Sequence, residues 1–463
     1  MDKGRNEEKK KLVVIGGNAA GLSAASQVKR LQPSWDVVVF EKNSYISYAA
    51  CGMPYYIEGL VKDVEELIEL TPRAVIDERR IDLRLGYEVT KIIPAEKKVV
   101  VKSKEEGEQE ESFDFLLLAT GSLPEISGLE FPQSDRIFVL KNLEDMQKID
   151  LFIRESSPTS CAVIGGGYIG IEMLEAFKAR GLETHLIHRR ADLAKTFEKE
   201  ISDLIKEEMS ARGIVLQLET GIKKIKEEKG KIVVVTDKGD LKYDFVFLGL
   251  GVVPNTKLAK ESGIELGVKG AVKVNEYLQT NYDFIYAAGD CAQTINMISR
   301  EPVYTPLALK ANKEGMLAGM NIAGRKAPFP GVLGTAITKF FSLGIARTGL
   351  TFEEAEKLRF NPVKITVNSR TRARYYPPSE NMFSLIIADK NSGRILGAQL
   401  AGPLDSVKRI DVYAAALYNR MPLDEIFNLD LAYAPPFSPV YDPVLLAARV
   451  GKKLGVRDVS QGK

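Results

Sequence analysis

Histidine and cysteine are scarce: 463 residues hold two histidines, His185 and His188, and three cysteines, Cys51, Cys161 and Cys291. The histidines lie close together in one strand-like run. A histidine-based metal site or a histidine-dependent hydrolase would need that single strand to supply every imidazole, so neither is expected and no metal is assigned. Three scattered cysteines frame neither a disulfide scaffold nor a cysteine-rich metal site. An excess of one charge is also missing. The 64 Lys and Arg residues stand against 62 Asp and Glu, a net charge of +2, which gives no reason to expect nucleic acid as a partner. No apolar run reaches membrane-span length, and the opening MDKGRNEEKKK carries charge without the apolar stretch of a signal peptide. A cytoplasmic protein with no membrane partner is the expectation. The length exceeds what one core usually serves, which predicts two or three domains.

What is present begins with KLVVIGGNAAGLSAAS from Lys11, an apolar strand running into a glycine turn and a small-residue helix start. Glycines at such a turn let the backbone approach a pyrophosphate, and the helix N-terminus offers free N–H groups to it. Gly16 and Gly21 hold the first and last positions, with Asn18 between them. Further on, WDVVVFEK places Glu41 at a strand end, where a carboxylate takes ribose hydroxyls. The pattern recurs in SCAVIGGGYIGIEMLEAF with Gly165, Gly167 and Gly170. Its strand ends in ETHLIHRR, so His188, Arg189 and Arg190 replace the carboxylate. A guanidinium pair neutralises a ribose 2′-phosphate, which predicts NADP(H) at this second site, accepted at least as well as NAD(H).

Three more apolar runs close on glycine: FDFLLLATGSLPE, YDFVFLGLGVVPN and DFIYAAGDCAQ. Together with the two glycine turns they resemble the flavoprotein superfamily with two dinucleotide-binding domains, whose ATG and GD signatures match Ala119, Thr120, Gly121, Gly289 and Asp290. That resemblance implies FAD in the first unit, with Asp290 on the ribityl chain and Lys42, Val89 and Gly251 among the cofactor contacts. It adds Tyr168 and Ile169 to the nicotinamide site and puts Glu172 beside the nicotinamide. The implied fold is α/β, with two Rossmann-like dinucleotide-binding domains plus a C-terminal α+β dimerisation domain. The expected boundaries are 1–121 and 254–328 for the FAD domain, 122–253 for the NAD(P)H domain and 329–463 for the last. RKAPFPGVLGTA reads as the linker into that last domain, and KSKEEGEQEES as a solvated hairpin tip.

Cys51 sits in SYISYAACGMPYYI. Its residues allow two readings: a small buried apolar side chain, or a nucleophile at the start of a helix whose first turn contains Pro54 and whose free N–H groups favour the thiolate. Cys161 and Cys291 read as buried. No second cysteine lies near Cys51, and no histidine follows His188, so the paired cysteines and C-terminal acid of glutathione reductase-like enzymes are missing. The flavoprotein context favours the nucleophile.

SYAACGMPYYI, RYYPPSE and DLAYAPPFSPVYDP are similar to the single-cysteine group that includes coenzyme A disulfide reductase, NAD(P)H oxidases and persulfide or sulfur reductases. The similarity runs from Lys11 to about Val450. It implies that Cys51 cycles through a mixed disulfide with coenzyme A, assisted by Tyr375 and Tyr433 from the partner subunit of a homodimer. Coenzyme A contacts carry over to Ser23, Gln27, Arg30, Ser47 and Arg79. Three positions depart from the group: an asparagine is Ala50 here, a histidine is Asn312 and a lysine is Tyr441. The implied activity is coenzyme A disulfide reductase. The alternatives are a coenzyme A-dependent sulfur, polysulfide or persulfide reductase, an oxidase working through a cysteine sulfenic acid, and a flavoprotein that passes electrons to a protein partner.

Overall fold

The computed structural model describes residues 9–453. Strand Lys11–Ile15 pairs in parallel with Asp36–Glu41 on one side and Phe115–Leu118 on the other. These near-continuous apolar runs are buried, as strands of a parallel sheet covered on both faces must be. Asp82–Leu85 and Ile285–Ala287 complete a five-stranded sheet at its two edges. Its first helix, Ala19–Leu31, packs on Ala308–Ile322 from far along the chain. The two backbones come so close that a Cβ on Gly315 would stand 2.2 Å from the Ala20 carbonyl oxygen.

A second parallel sheet repeats the plan, in the order Val215–Gln217, Glu183–Ile187, Ser160–Ile164, Phe245–Leu248, Ile137–Phe138. Helix Tyr168–Ala179 follows its glycine turn. Two three-stranded antiparallel ribbons flank the sheets, one built from Glu88–Ile93, Lys98–Ser103 and Gly107–Ser112, the other from Ile222–Glu228, Lys231–Thr236 and Gly239–Tyr243. The polar run of KSKEEGEQEES forms a turn and the exposed strand after it.

The C-terminal part is one five-stranded antiparallel sheet, ordered Ala336–Phe340, Leu343–Gly349, Ile395–Pro403, Asn381–Asp389, Pro362–Arg370. Helices Ile410–Tyr418 and Pro443–Lys453 pack on it around a buried Tyr413. Among the described residues no helix is long and apolar enough to cross a membrane, and no three metal-ligating side chains come together.

Candidate active site and its dinucleotide cradles

Gly16 takes φ +113°, and a Cβ there would lie 2.2 Å from the Ala119 carbonyl oxygen. A side chain is therefore excluded between the first glycine turn and the ATG strand end. Asn18 stands at the N-cap of Ala19–Leu31 without capping it, which leaves first-turn N–H groups for a phosphate. Glu41 is buried and already engaged: it accepts from Gly17 N at 2.8 Å through one oxygen and from Asn43 N at 2.9 Å through the other. Lys42 lies just beyond it. Val89 sends its side chain into the core between the sheet and the ribbon, leaving only its backbone for a ligand.

The second cradle repeats the first. Gly165 also takes φ +113°, and Gly167 caps Tyr168–Ala179 without a side-chain bond. His188 takes the place at this strand end that Glu41 holds in the first cradle. It does not stand with the arginines; its ring turns under the glycine loop, where Nδ1 accepts from Gly166 N at 3.2 Å and Nε2 donates to the Asp192 carbonyl at 3.2 Å. Burial, and after it Arg190 and Arg189, lower its pKa against the opposing bond to Asp192, and an Nδ1 that accepts from an amide N–H carries no proton. Arg189 and Arg190 are exposed and have no ion-pair partner among the described residues.

Cys51 lies in the turn Ala50–Gly52 leading into helix Met53–Glu58, with Pro54 in the first turn and Met53 and Ile57 buried. It is exposed, whereas Cys161 and Cys291 are buried. Protein nevertheless surrounds the Cys51 thiol on most sides. That desolvation, and then the carboxylates of Glu172 and Asp290, push its pKa up, opposite to the direction expected of a helix N-terminus. Desolvation, reinforced by two acids, outweighs the short dipole of a six-residue helix.

Around this thiol the structure assembles groups from distant segments. Glu172 accepts a 2.7 Å bond from the Thr338 hydroxyl, and burial raises its pKa. Glu175 accepts from Lys339 and from Phe341 N. Lys339 also lies 5.5 Å over the Tyr55 ring and 4.0 Å from Glu58. Burial and the carboxylates of Glu172, Glu175 and Glu58 push the Tyr55 hydroxyl up to about 12. Asp290 accepts from Ser122 Oγ at 3.0 Å. The preceding residue, Gly289, is clasped at both ends of its backbone. Its N–H donates to Glu314 at 2.9 Å and its carbonyl accepts from Lys310 at 2.9 Å, while Lys310 and Glu314 form a buried 2.8 Å ion pair.

A separate cavity of about 300 Å³ is lined by Ser23, Ser26, Gln27, Arg30, Arg79, Asn312, Lys313 and Met316, with no acidic residue among them. Five of these were expected substrate contacts. Polar pairs order the wall: Ser23 to Asn312 at 3.0 Å, Arg30 to Gln27 at 2.7 Å and Arg79 to Ser26 at 2.6 Å. Arg30, Arg79 and Lys313 have no ion-pair partner among the described residues. Ser47, whose N–H donates to the Gly17 carbonyl, and Tyr441 do not line it. Tyr441 stacks on Phe427 and carries Arg449 over its ring. Tyr375 and Tyr433 meet on the surface of the C-terminal part, 75% and 47% exposed, and the Tyr375 hydroxyl raises the pKa of Tyr433.

Sequence comparison then places the chain. The pattern of the pyridine nucleotide-disulphide oxidoreductases matches residues 10–315, and that of their dimerisation domain matches residues 335–443. The chain belongs to the pyridine nucleotide-disulphide oxidoreductase family. It is 41% identical over 446 residues to an NAD(P)H coenzyme A polysulfide/persulfide reductase of Pyrococcus horikoshii, covering 96% of this chain and 99% of that one. It is 34% identical over 439 residues to a coenzyme A disulfide reductase of Staphylococcus haemolyticus, covering 94% and 98%. Among solved structures, reduced CoADR-RHD of Bacillus anthracis superposes with a TM-score of 0.93 at 32% identity, covering 97% of this chain and 81% of that one. As a pyridine nucleotide-disulphide oxidoreductase the chain is an oxidoreductase, and its C-terminal sheet is the dimerisation domain of that family.

Sequence reasoning missed Ser26 and Lys313 in the cavity wall, although both lie within a helical turn of residues it singled out. It also missed Thr338, Lys339, Glu175, Lys310 and Glu314. Those carry no motif; only the packing of distant segments reveals them.

Proposed function

We propose that the protein is an FAD-dependent NAD(P)H reductase of sulfur–sulfur bonds carried by coenzyme A, with Cys51 as nucleophile. The observation that carries this reading is the cavity walled by three uncompensated cations in a molecule whose one exposed cysteine has no cysteine partner. Phosphates of a thiol carrier suit Arg30, Arg79 and Lys313, the guanidinium forks above all.

FAD supplies the two-electron relay between nicotinamide and sulfur. Gly16, Asn18 and Gly21 receive its pyrophosphate, Glu41 its ribose and Asp290 its ribityl chain. Arg189 and Arg190 hold the 2′-phosphate of NADPH at the second cradle, and Glu172 lies toward the nicotinamide. Cys51 Sγ attacks one sulfur of the substrate, forming a Cys51–S–S–R bond as the other sulfur leaves as a thiolate. Two electrons then break that bond, releasing the second thiolate and restoring the Cys51 thiolate. Tyr375 and Tyr433, contributed across the dimer, give a proton to a departing thiolate. Burial, and after it the carboxylates of Glu172 and Asp290, favour the protonated Cys51 thiol in the free protein.

Among the acceptors the sequence leaves open, two observations favour the sulfur, polysulfide or persulfide alternative over coenzyme A disulfide. The relative sharing 41% of residues bears a polysulfide/persulfide reductase name, and Ala50 offers no amide to the leaving sulfur. A persulfide or polysulfide, whose leaving group lacks a second bulky carrier, is therefore preferred over coenzyme A disulfide. Intact-mass measurement of unreduced protein tests the shared chemistry. A Cys51 adduct of coenzyme A mass that NADPH removes is expected, and a thiol always found free and inert to coenzyme A disulfide overturns it. Turnover is expected to be faster with coenzyme A persulfide or polysulfide than with coenzyme A disulfide, and to vanish in Cys51→Ser. The reverse order restores the disulfide reductase, oxygen consumption that is lost in Cys51→Ser points to the sulfenic-acid oxidase, and oxygen consumption that survives Cys51→Ser is flavin autoxidation needing no cysteine.

A further inference from the structure

Two strand ends in this chain serve their glycine turns in the same way with different side chains. Glu41 accepts from Gly17 N at 2.8 Å, and His188 Nδ1 accepts from Gly166 N at 3.2 Å. Both glycines are second in their turns, following Gly16 and Gly165 with their shared φ of +113°. An amide N–H turned inward at so tight a loop needs an acceptor, because leaving it bare costs most of a hydrogen bond. A carboxylate meets that need and brings a negative charge to the ribose. A neutral imidazole meets it without the charge.

The surroundings keep His188 in that role. Its second nitrogen donates to the Asp192 carbonyl, which fixes the tautomer with Nδ1 free to accept. The ring packs against the loop, 3.5 Å from where a Gly166 Cβ would stand. The Asp192 carboxylate is turned to Lys206 at 3.5 Å, while Arg189 and Arg190 point to solvent unpaired. An uncharged acceptor thus sits within a cationic rim.

We infer that His188 is the specificity-determining residue of the second cradle: it holds the Gly166 turn closed as a carboxylate would, while sparing a ribose 2′-phosphate the repulsion of a carboxylate. The inference rests on the NADPH reading above only for which nucleotide the wild type prefers. It separates two duties that Glu41 combines, holding the turn and gripping the ribose, and leaves the second to the arginines.

The test measures dissociation constants of NADPH and NADH for wild type, His188→Gln, His188→Glu and the double variant Arg189→Ala/Arg190→Ala, with melting temperature and flavin absorbance as checks of folding. His188→Glu is expected to shift the NADPH:NADH affinity ratio toward NADH by about tenfold or more while Arg189 and Arg190 remain, since a unit charge close to a phosphate is worth at least that. His188→Gln, an acceptor without charge, is expected to keep the wild-type ratio. A His188→Glu protein that weakens both nucleotides equally, or keeps the ratio, overturns the inference, and in the second case the arginine variant shows that the guanidiniums act alone. His188→Asp carries the same charge on a shorter arm and replaces His188→Glu if that variant does not fold. A wild type that prefers NADH overturns the NADPH reading, while the change of ratio on His188→Glu still decides the role of His188.

Discussion

Cys51 has acids for neighbours where a reactive thiol usually has cations. Removing one acid should therefore free the thiolate. Glu172→Gln is expected to raise the rate of Cys51 alkylation by iodoacetamide roughly two- to tenfold at pH 8 and to move the alkylation midpoint to lower pH. An unchanged pH profile would show that Glu172 does not act on the thiol. Cys161 and Cys291, buried, should stay unlabelled until the protein unfolds, which makes them internal controls. His188 gives the opposite sign of pH effect. Its folded pKa lies below the ordinary 6.5, so the unfolded chain binds its proton more readily. The stability it contributes is full above pH 6.5 and falls as the pH drops through the folded pKa. Calorimetry at pH 7.5 and pH 5 should show a smaller loss of melting temperature in His188→Gln than in wild type. At this scale the sequence was readable where chemistry needs a residue type at a spacing, as at the two glycine turns with their shared φ of +113°. It was silent on Thr338 and Lys339, because their acid partners lie more than 160 positions away and nothing local marks the pairing.

Among the elements, helices Ala19–Leu31 and Ala308–Ile322 carry the flavin cradle between them. Their approach depends on Gly315, where a methyl group would meet backbone and could not be relieved by a rotamer change. Gly315→Ala is expected to cost about 1–3 kcal/mol by overpacking and to increase flavin loss on gel filtration. Denaturant titration and flavin absorbance read the two effects, and a variant that keeps both at wild-type levels would refute the close contact. Strand Ala336–Phe340 works differently: it belongs to the dimerisation domain, yet reaches the helices flanking Cys51 through Thr338 and Lys339. The strands were legible because their apolar runs are short and bounded by glycine, as in LVVI and CAVI. Their order in the sheets was not, since pairing across long separations leaves no local trace. The ribbon Ile222–Glu228, Lys231–Thr236, Gly239–Tyr243 went unread because lysine and glutamate crowd its outward faces and blur the alternation.

At the scale of the whole molecule, the surface of the dimerisation domain bears Tyr375 and Phe437, each 75% exposed, and Val440, 67% exposed. So much open apolar surface on one domain is what an obligate interface looks like from one side. Sedimentation should give a dimer that persists at low micromolar concentration. Mixed dimers of Cys51→Ser with Tyr375→Phe/Tyr433→Phe provide the sharper test. If the tyrosines serve the partner's cysteine, one of the two sites is fully native and about half the activity of a wild-type dimer returns; if they serve their own chain, none does. A further consequence lies in the interleaving of the first sheet. Its edge strand Ile285–Ala287 and covering helix Ala308–Ile322 are made only after every strand of the second sheet. On the ribosome, at about 5–20 residues per second, the span from Leu118 to Ile285 takes roughly 10–30 s, during which the nicotinamide unit can close while the flavin unit waits with one sheet edge bare. The unit begun first is thus finished later, and a nascent chain released before Ile322 would fold its nucleotide cradle but hold no flavin.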